Sequence, residues 1–292
     1  MTVTLLAAGL SIGCAVAFSV ADLLRKLLAE QVRPLPLLVA MSAGMAPFFL
    51  AWWAWQGGGG PTAAYWLPGL SSAALNLLAN LAFLEAVRIA PLSLTIPVLS
   101  LTPVFTTLLA VPLLGEVPSA RQGAGVVLVV AGVLWLNARG GGSALGNLWR
   151  SLLHERGTQL MAATALLWSL AMPLDKMALA VSGAAFHGLA LNSGVALGAL
   201  AVLATRGRVG ELRGLAARWS LLTWLILVGA IALVLILLAI PLTWIGFIET
   251  MKRGLGSFMA VVWGRAFFGE PVTARKLAAV AGIAAGVALI TW

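Results

Sequence analysis

LLTWLILVGAIALVLILLAIPLT, residues 221–243, is a run of 23 positions without one charged side chain. The hydrocarbon core of a bilayer is about 30 Å thick, and a helix needs about 20 apolar residues to cross it. The run is long enough for a crossing and carries no charge toward water, so it reads as a membrane-spanning helix. The same pattern extends in both directions. Downstream, further spans are expected at Trp244–Phe267 and Leu277–Trp292. Upstream, they are expected at Phe186–Thr205, Thr158–Leu179, Gln122–Leu136, Leu92–Leu114, Trp66–Val87, Leu35–Trp55 and Val3–Leu24. The first of these continues unbroken from Met1 with no basic segment before it, and reads as a retained helix. Almost nothing polar divides Thr243 from Trp244, so that junction rests on length alone.

Composition agrees with ten crossings. Hydrophobic residues make up 61% of the 292 positions and charged residues 9%, against about 25% in a soluble domain. The net charge of +9 does not point to nucleic acid, because the basic residues are scattered between apolar blocks rather than gathered into a stripe. They act as topology signals. Fourteen of the eighteen Lys and Arg, among them Arg25, Lys26, Arg33, Arg88 and Arg156, fall in the odd-numbered connections, which places those connections in the cytoplasm and both termini outside. One cysteine, Cys14, allows neither an intrachain disulfide nor a thiolate metal site. His154 and His187 have no spaced ligand partners, and no phosphate-binding loop, nucleophile elbow or HExxH pair occurs. No catalytic residue, metal or cofactor is expected.

The longest break, Asn137 to Gly157, holds three consecutive glycines and lies near the middle of the chain. It divides residues 1–138 from residues 158–292, with a linker loop at 139–157. The halves repeat. Phe18-Ser19 followed by Lys26 is matched by Trp168-Ser169 followed by Lys176. Gly115-Glu116, Arg121 and Ala131-Gly132-Val133 are matched by Gly269-Glu270, Arg275 and Ala285-Gly286-Val287. Five helices per half is an odd number, so the second half enters the bilayer from the opposite side, and the architecture expected is all-α with two inverted five-helix repeats.

These segments resemble a known family. Glu85-Ala86-Val87-Arg88 through Thr102-Pro103-Val104-Phe105 to Leu114-Gly115-Glu116, then Gly123 to Leu134, are similar to the EamA-type ten-helix branch of the drug/metabolite transporter superfamily, and Phe267-Phe268-Gly269-Glu270 repeats the ending. The resemblance covers essentially the whole chain. It departs in the second half, where Gly256-Ser257-Phe258-Met259 stands in place of the Pro-Val-Phe pattern. It implies a secondary transporter in a bacterial-type inner membrane, closest to exporters of amino acids and related metabolites. The cavity would lie between the halves, walled by the first four helices of each, with the fifth as a brace. The protein would be a monomer or weak dimer with membrane lipids and a small-molecule substrate as its partners.

Candidate site residues follow from polarity inside the spans. Asn76 and Asn80 are four apart on one helical face, and amides in hydrocarbon must find partners, either neighbouring helices or a substrate. Most of the twelve tryptophans sit at span ends as interfacial anchors, but Trp168 is mid-span beside Ser169, with Ser19 beside the repeat partner Phe18. Trp244 and Trp263 are possible companions. Among nine acids only Glu85 is expected within a span, and with Arg88 three residues on it forms either a local ion pair or a coupling site for protons. So few carboxylates favour facilitated diffusion or exchange over dedicated proton antiport, and an aromatic-walled cavity with a few amides would suit amphiphilic or aromatic metabolites, including neutral or aromatic amino acids. Rival readings are a proton-coupled exporter of drugs or cations, a lipid-modifying enzyme, which would need a polar cluster at one face, and a non-transporting membrane protein in which the amides and Trp168 face no cavity.

Overall fold

The computed structural model describes residues 4–90, 98–137, 144–268 and 273–291. Among them are eleven α-helices: α1 (Leu5–Ala29), α2 (Pro34–Trp55), α3 (Trp66–Ile89), α4 (Thr102–Leu114), α5 (Ala120–Asn137), α6 (Ala144–His154), α7 (Arg156–Ser182), α8 (Ala184–Thr205), α9 (Trp219–Ala239), α10 (Ile245–Phe268) and α11 (Ala274–Thr291). All but α6 correspond to the ten expected spans, with ends shifted by a few residues except in the fourth, where α4 begins at Thr102 rather than Leu92. The chain is an all-helical, multi-pass membrane protein. Large apolar side chains such as Leu5, Leu67, Val127, Leu197 and Leu277 stay exposed on the outside of the bundle, where lipid would cover them.

The helix ends follow local chemistry. Thr4 caps α1, its Oγ1 accepting from the Ala7 N–H at 3.2 Å. Ser119 and Gln122 form a reciprocal capping box at the start of α5, with N···O distances of 2.9 and 3.2 Å. Gly115, at φ +68, closes α4 in the left-handed conformation that glycine adopts most cheaply. A single residue, Gly183 at φ +74, separates α7 from α8, which forces the two helices into a hairpin and decides what faces what in the site below.

Two expectations need correction. Residues 139–157 do not form a loop throughout, because 144–154 are helical. Leu145, Leu148, Trp149 and Leu152 recur at helical spacing in that stretch, which defines an amphipathic helix too short to span. The fourth span is also interrupted. Ser100 and Leu101 form a turn before α4, and Pro103, which disfavours helix at the residue before it, sits just beyond.

The two parts of the chain interlock rather than sit side by side. The most extensive pairings are α3 on α7, α5 on α11, α2 on α8 and α1 on α9, followed by α1 on α10, α4 on α7, α3 on α8 and α4 on α10. The α5–α11 seam brings backbones together: a Cβ on Gly125 would lie 2.7 Å from the Gly286 carbonyl oxygen, and one on Gly286 would lie 2.9 Å from that of Gly125. Apolar side chains form two separate cores. One, including Leu28, Leu38, Val87, Leu203 and Leu225, lies toward the end of the bundle that carries Arg25, Arg33, Arg88 and Arg156. The other, including Phe49, Leu179, Ile240, Trp244 and Phe247, lies toward the opposite end. Between them the bundle is hollow.

Candidate functional site

The hollow is a cavity of about 490 Å³. Its walls come from α1, α2, α3, α7, α8, α9 and α10, with Ser100 from the interrupted fourth span, and among the described residues neither α5 nor α11 contributes. Irregular backbone inside a bilayer is tolerated where it lines a cavity, and the Ser100 turn does so. The lining includes Leu27 and Glu30 at the exposed C-terminal end of α1, so the cavity reaches the arginine-rich end of the bundle. At its other extreme it stops against Ile240 and Asp175.

Asn76, Asn80, Trp168 and Ser19 all line it. The amide nitrogens turn back on α3: Asn76 Nδ2 donates to the Ser72 carbonyl at 3.1 Å, and Asn80 Nδ2 to the Asn76 carbonyl at 2.8 Å. Among the described residues no hydrogen bond reaches either Oδ1, so both carbonyl ends are left as acceptors. The Trp168 ring stacks obliquely on Phe83, with centroids 5.5 Å apart. Phe18 lines the same cavity.

The remaining candidates lie elsewhere. Ser169 is fully buried behind Trp168, and its Oγ donates to the Ala165 carbonyl at 2.6 Å. Trp244 is 2% exposed, packed in the core at the far end, with no hydrogen bond to Nε1. The side chain of Trp263 is outside the described residues. Glu85 does not line the cavity and takes a two-pronged bond from Arg88, at 2.6 and 2.8 Å, on the surface of α3.

Three acids assigned to helix ends or loops on sequence grounds instead line the cavity from within helices: Asp22 on α1, Asp175 on α7 and Glu249 on α10. The break before α10 is a short 3-10 turn at Ile240–Leu242, set by Pro241, so Glu249 lies inside the bundle rather than at a surface. It is 0% exposed and hydrogen-bonded to Lys252, and Arg253 Nε stands 3.7 Å from its Oε2. Both of those atoms lack a hydrogen-bond partner. The two cations also lie against aromatic rings: Lys252 Nζ is 5.2 Å from the Phe18 centroid, and the Arg253 guanidinium is 5.7 Å from that of Trp168. The sequence signal was available, since Glu249, Lys252 and Arg253 have the i, i+3, i+4 spacing that puts them on one face.

Two polar clusters close the end opposite the arginines. Glu116 follows α4, and its Oε1 accepts from Lys176 Nζ at 2.5 Å while Oε2 accepts from the Ile245 N–H at 2.9 Å. Lys176 also donates to the Thr243 carbonyl at 2.6 Å. One acid thus ties α4 to α7 and caps α10. Its sequence counterpart, Glu270, lies outside the described residues. The second cluster is a chain. Ser72 Oγ donates to Asp175 Oδ1, and His187 Nε2 lies 3.0 Å from the same oxygen. His187 Nδ1 lies 3.2 Å from the Tyr65 hydroxyl. Gly183 makes this possible by folding α8 back so that His187 meets Asp175 across the hairpin.

Residues 5–138 match the model of the EamA-like transporter family. A solved structure titled "Crystal structure of protein" superposes with a TM-score of 0.70 at 19% identity, covering 98% of this chain and 96% of its own, a likeness of fold alone. Among curated proteins the chain matches none.

Proposed function

Because residues 5–138 form an EamA-like transporter family domain, which implies a membrane transporter of small molecules, we propose that this chain is a secondary transporter of amino acids, neutral and aromatic ones included. It works by alternating access between two inverted five-helix halves in a bacterial-type inner membrane. The observation that carries the reading is the cavity, in which acceptors, cations and aromatic faces meet in one chamber of metabolite size. The amide oxygens of Asn76 and Asn80 and the carboxylates of Asp175 and Glu249 suit an ammonium group. Lys252 and Arg253 suit a carboxylate, and Phe18, Phe83 and Trp168 suit an apolar side chain.

The helix pairing supports the inverted halves. With α6 set aside, α2 on α8, α4 on α10 and α5 on α11 each join helices of equal rank in the two halves. The pairs α1 on α9 and α3 on α7 exchange under the same operation. The chamber reaches only the arginine-rich end, so the conformation corresponds to the cytoplasm-facing state, and the Glu116 and Asp175 clusters form the closed outer end.

The test is uptake of labelled L-phenylalanine and L-leucine into proteoliposomes preloaded with the unlabelled amino acid. Asn76→Ala and Trp168→Ala should each reduce uptake at low substrate concentration by about tenfold or more, the loss expected when a charge-assisted contact (Asn76) or an apolar contact surface (Trp168) is removed. Absence of amino-acid exchange in the wild type would remove the substrate assignment, and full activity in both variants would remove the site.

A further inference from the structure

The chain Tyr65–His187–Asp175–Ser72 stands at the closed end of the cavity and has a property that a plain hydrophobic plug lacks: it can hold a proton without rearranging. With a neutral imidazole, the Tyr65 hydroxyl donates to Nδ1 and Nε2–H donates to Asp175 Oδ1. With an imidazolium, Nδ1–H donates to the Tyr65 oxygen instead, and the other contacts stay as they are. The exchange requires only rotation of one hydroxyl. His187 is 0% exposed, whereas the Asp175 side chain keeps a small exposed fraction and lines the cavity. Among the described residues no hydrogen bond reaches Asp175 Oδ2. The buried end of the chain is therefore sealed, and the carboxylate end opens on the chamber.

The charged surroundings leave this pair as the group open to change. On α7 itself, the neighbouring Lys176 is held by Glu116 and the Thr243 carbonyl. Tyr65 precedes α3, and the only charged groups on α3, Glu85 and Arg88, bind each other at its other end. Helix α8 contributes His187 alone, and α2 and α9 carry no titratable group at all. Across the chamber, α10 presents Glu249 with Lys252 and Arg253, and α1 presents Asp22 bonded to Arg25 at 3.0 Å, with Lys26 and Glu30 beyond.

We propose that Asp175 and His187 form a proton-binding site that couples transport to protons by locking the outer end of the cavity. The proposal rests on the transporter reading above. In the closed state the added proton sits on the imidazole between the Tyr65 oxygen and the Asp175 carboxylate, as an ion pair shielded from water. Opening the outer end draws α3, α7 and α8 apart, breaks the chain, and passes that proton from the imidazolium to water outside. The closed state thus binds the proton more tightly than the open one, and by linkage a fall in pH drives closure.

The test needs no substrate. A reporter thiol is placed in the cavity by Ser19→Cys in a Cys14→Ser background, and its modification by a membrane-impermeant thiol reagent is measured in vesicles of both orientations with equal pH on the two sides. The outer-to-inner rate ratio cancels the thiol's own ionisation. It should fall as pH is lowered from 8 to 5.5, by up to about tenfold per unit where one proton is linked. Asp175→Asn and His187→Gln should each flatten the profile while inner labelling persists, which shows that the variant is folded. A flat wild-type profile with labelling from both sides, or a profile that survives either substitution, overturns the proton lock and leaves the transporter standing. Labelling from one side only, in every variant and at every pH, overturns both.

Discussion

Glu116 illustrates what a single side chain can hold in a bilayer. It satisfies Lys176 and the first N–H of α10 together, its own carboxylate buried while the Lys176 side chain stays 21% exposed. Without Glu116 the buried Ile245 N–H loses its acceptor and Lys176 keeps only the Thr243 carbonyl, so Glu116→Ala is expected to destabilise the protein by about 1–3 kcal/mol, with Glu116→Gln milder because the amide still accepts from Ile245. Thermal unfolding of the purified protein, followed by tryptophan fluorescence, checks this, and equal midpoints for the wild type and Glu116→Ala would refute it. Glu85 makes the contrast. Its bond to Arg88 is exposed to solvent on both partners, and pairs of that kind contribute about 1 kcal/mol or less. Glu85→Gln should leave both the unfolding midpoint and amino-acid exchange near wild-type values, and a loss of exchange would return coupling to Glu85. The polarity of Asn76, Asn80, Trp168 and Ser19 within apolar spans led to residues of the cavity wall. Glu249 and Asp175 were not found that way, because a carboxylate beside an uncertain span boundary looks the same on paper whether it reaches water or an internal chamber.

At the level of the helix, α5 and α11 form the seam that most depends on residue size. Gly125→Val or Gly286→Leu would drive side-chain atoms into opposing backbone, and overpacking of this kind costs about 1–3 kcal/mol or more. Both variants should show lower unfolding midpoints, whereas Gly123→Ala and Gly282→Ala, where an added Cβ meets nothing within 4 Å, should not. Unchanged midpoints for Gly125→Val and Gly286→Leu would mean that the seam is looser than its geometry. The elements themselves were largely legible, since apolar runs of fixed length with Gly and Pro breaks leave a helix few choices of boundary. Two elements were not. The α6 pattern is amphipathic within a glycine-rich break, and composition averaged over that break hid its periodicity. The turn at Ser100–Leu101 depends on Pro103 acting on the residues before it, a local restriction within an otherwise continuous apolar run.

Across the whole molecule, the two apolar cores lie at opposite ends with the chamber between them, and the arginines mark one end. Orientation is checked with single cysteines in the Cys14→Ser background. Gly59→Cys, between α2 and α3, should react with an impermeant reagent on intact cells, and Gly146→Cys on α6 should react only after the membrane is opened. The reverse pattern would invert the sidedness given to the cavity. Because no described residue of α5 or α11 lines the chamber and the two meet through glycine backbone, they leave little room for sliding but allow a pivot. In the proposed rocking motion they are the fulcrum: helices beside the seam scarcely travel, while α3, α7 and α8, on the far side of the chamber, move as the long arm of a lever. A molecule built this way has its fixed point and its stroke in different helices, so a substitution at the fulcrum would weaken the frame, and one at the end of the arm would change how far the outer door swings.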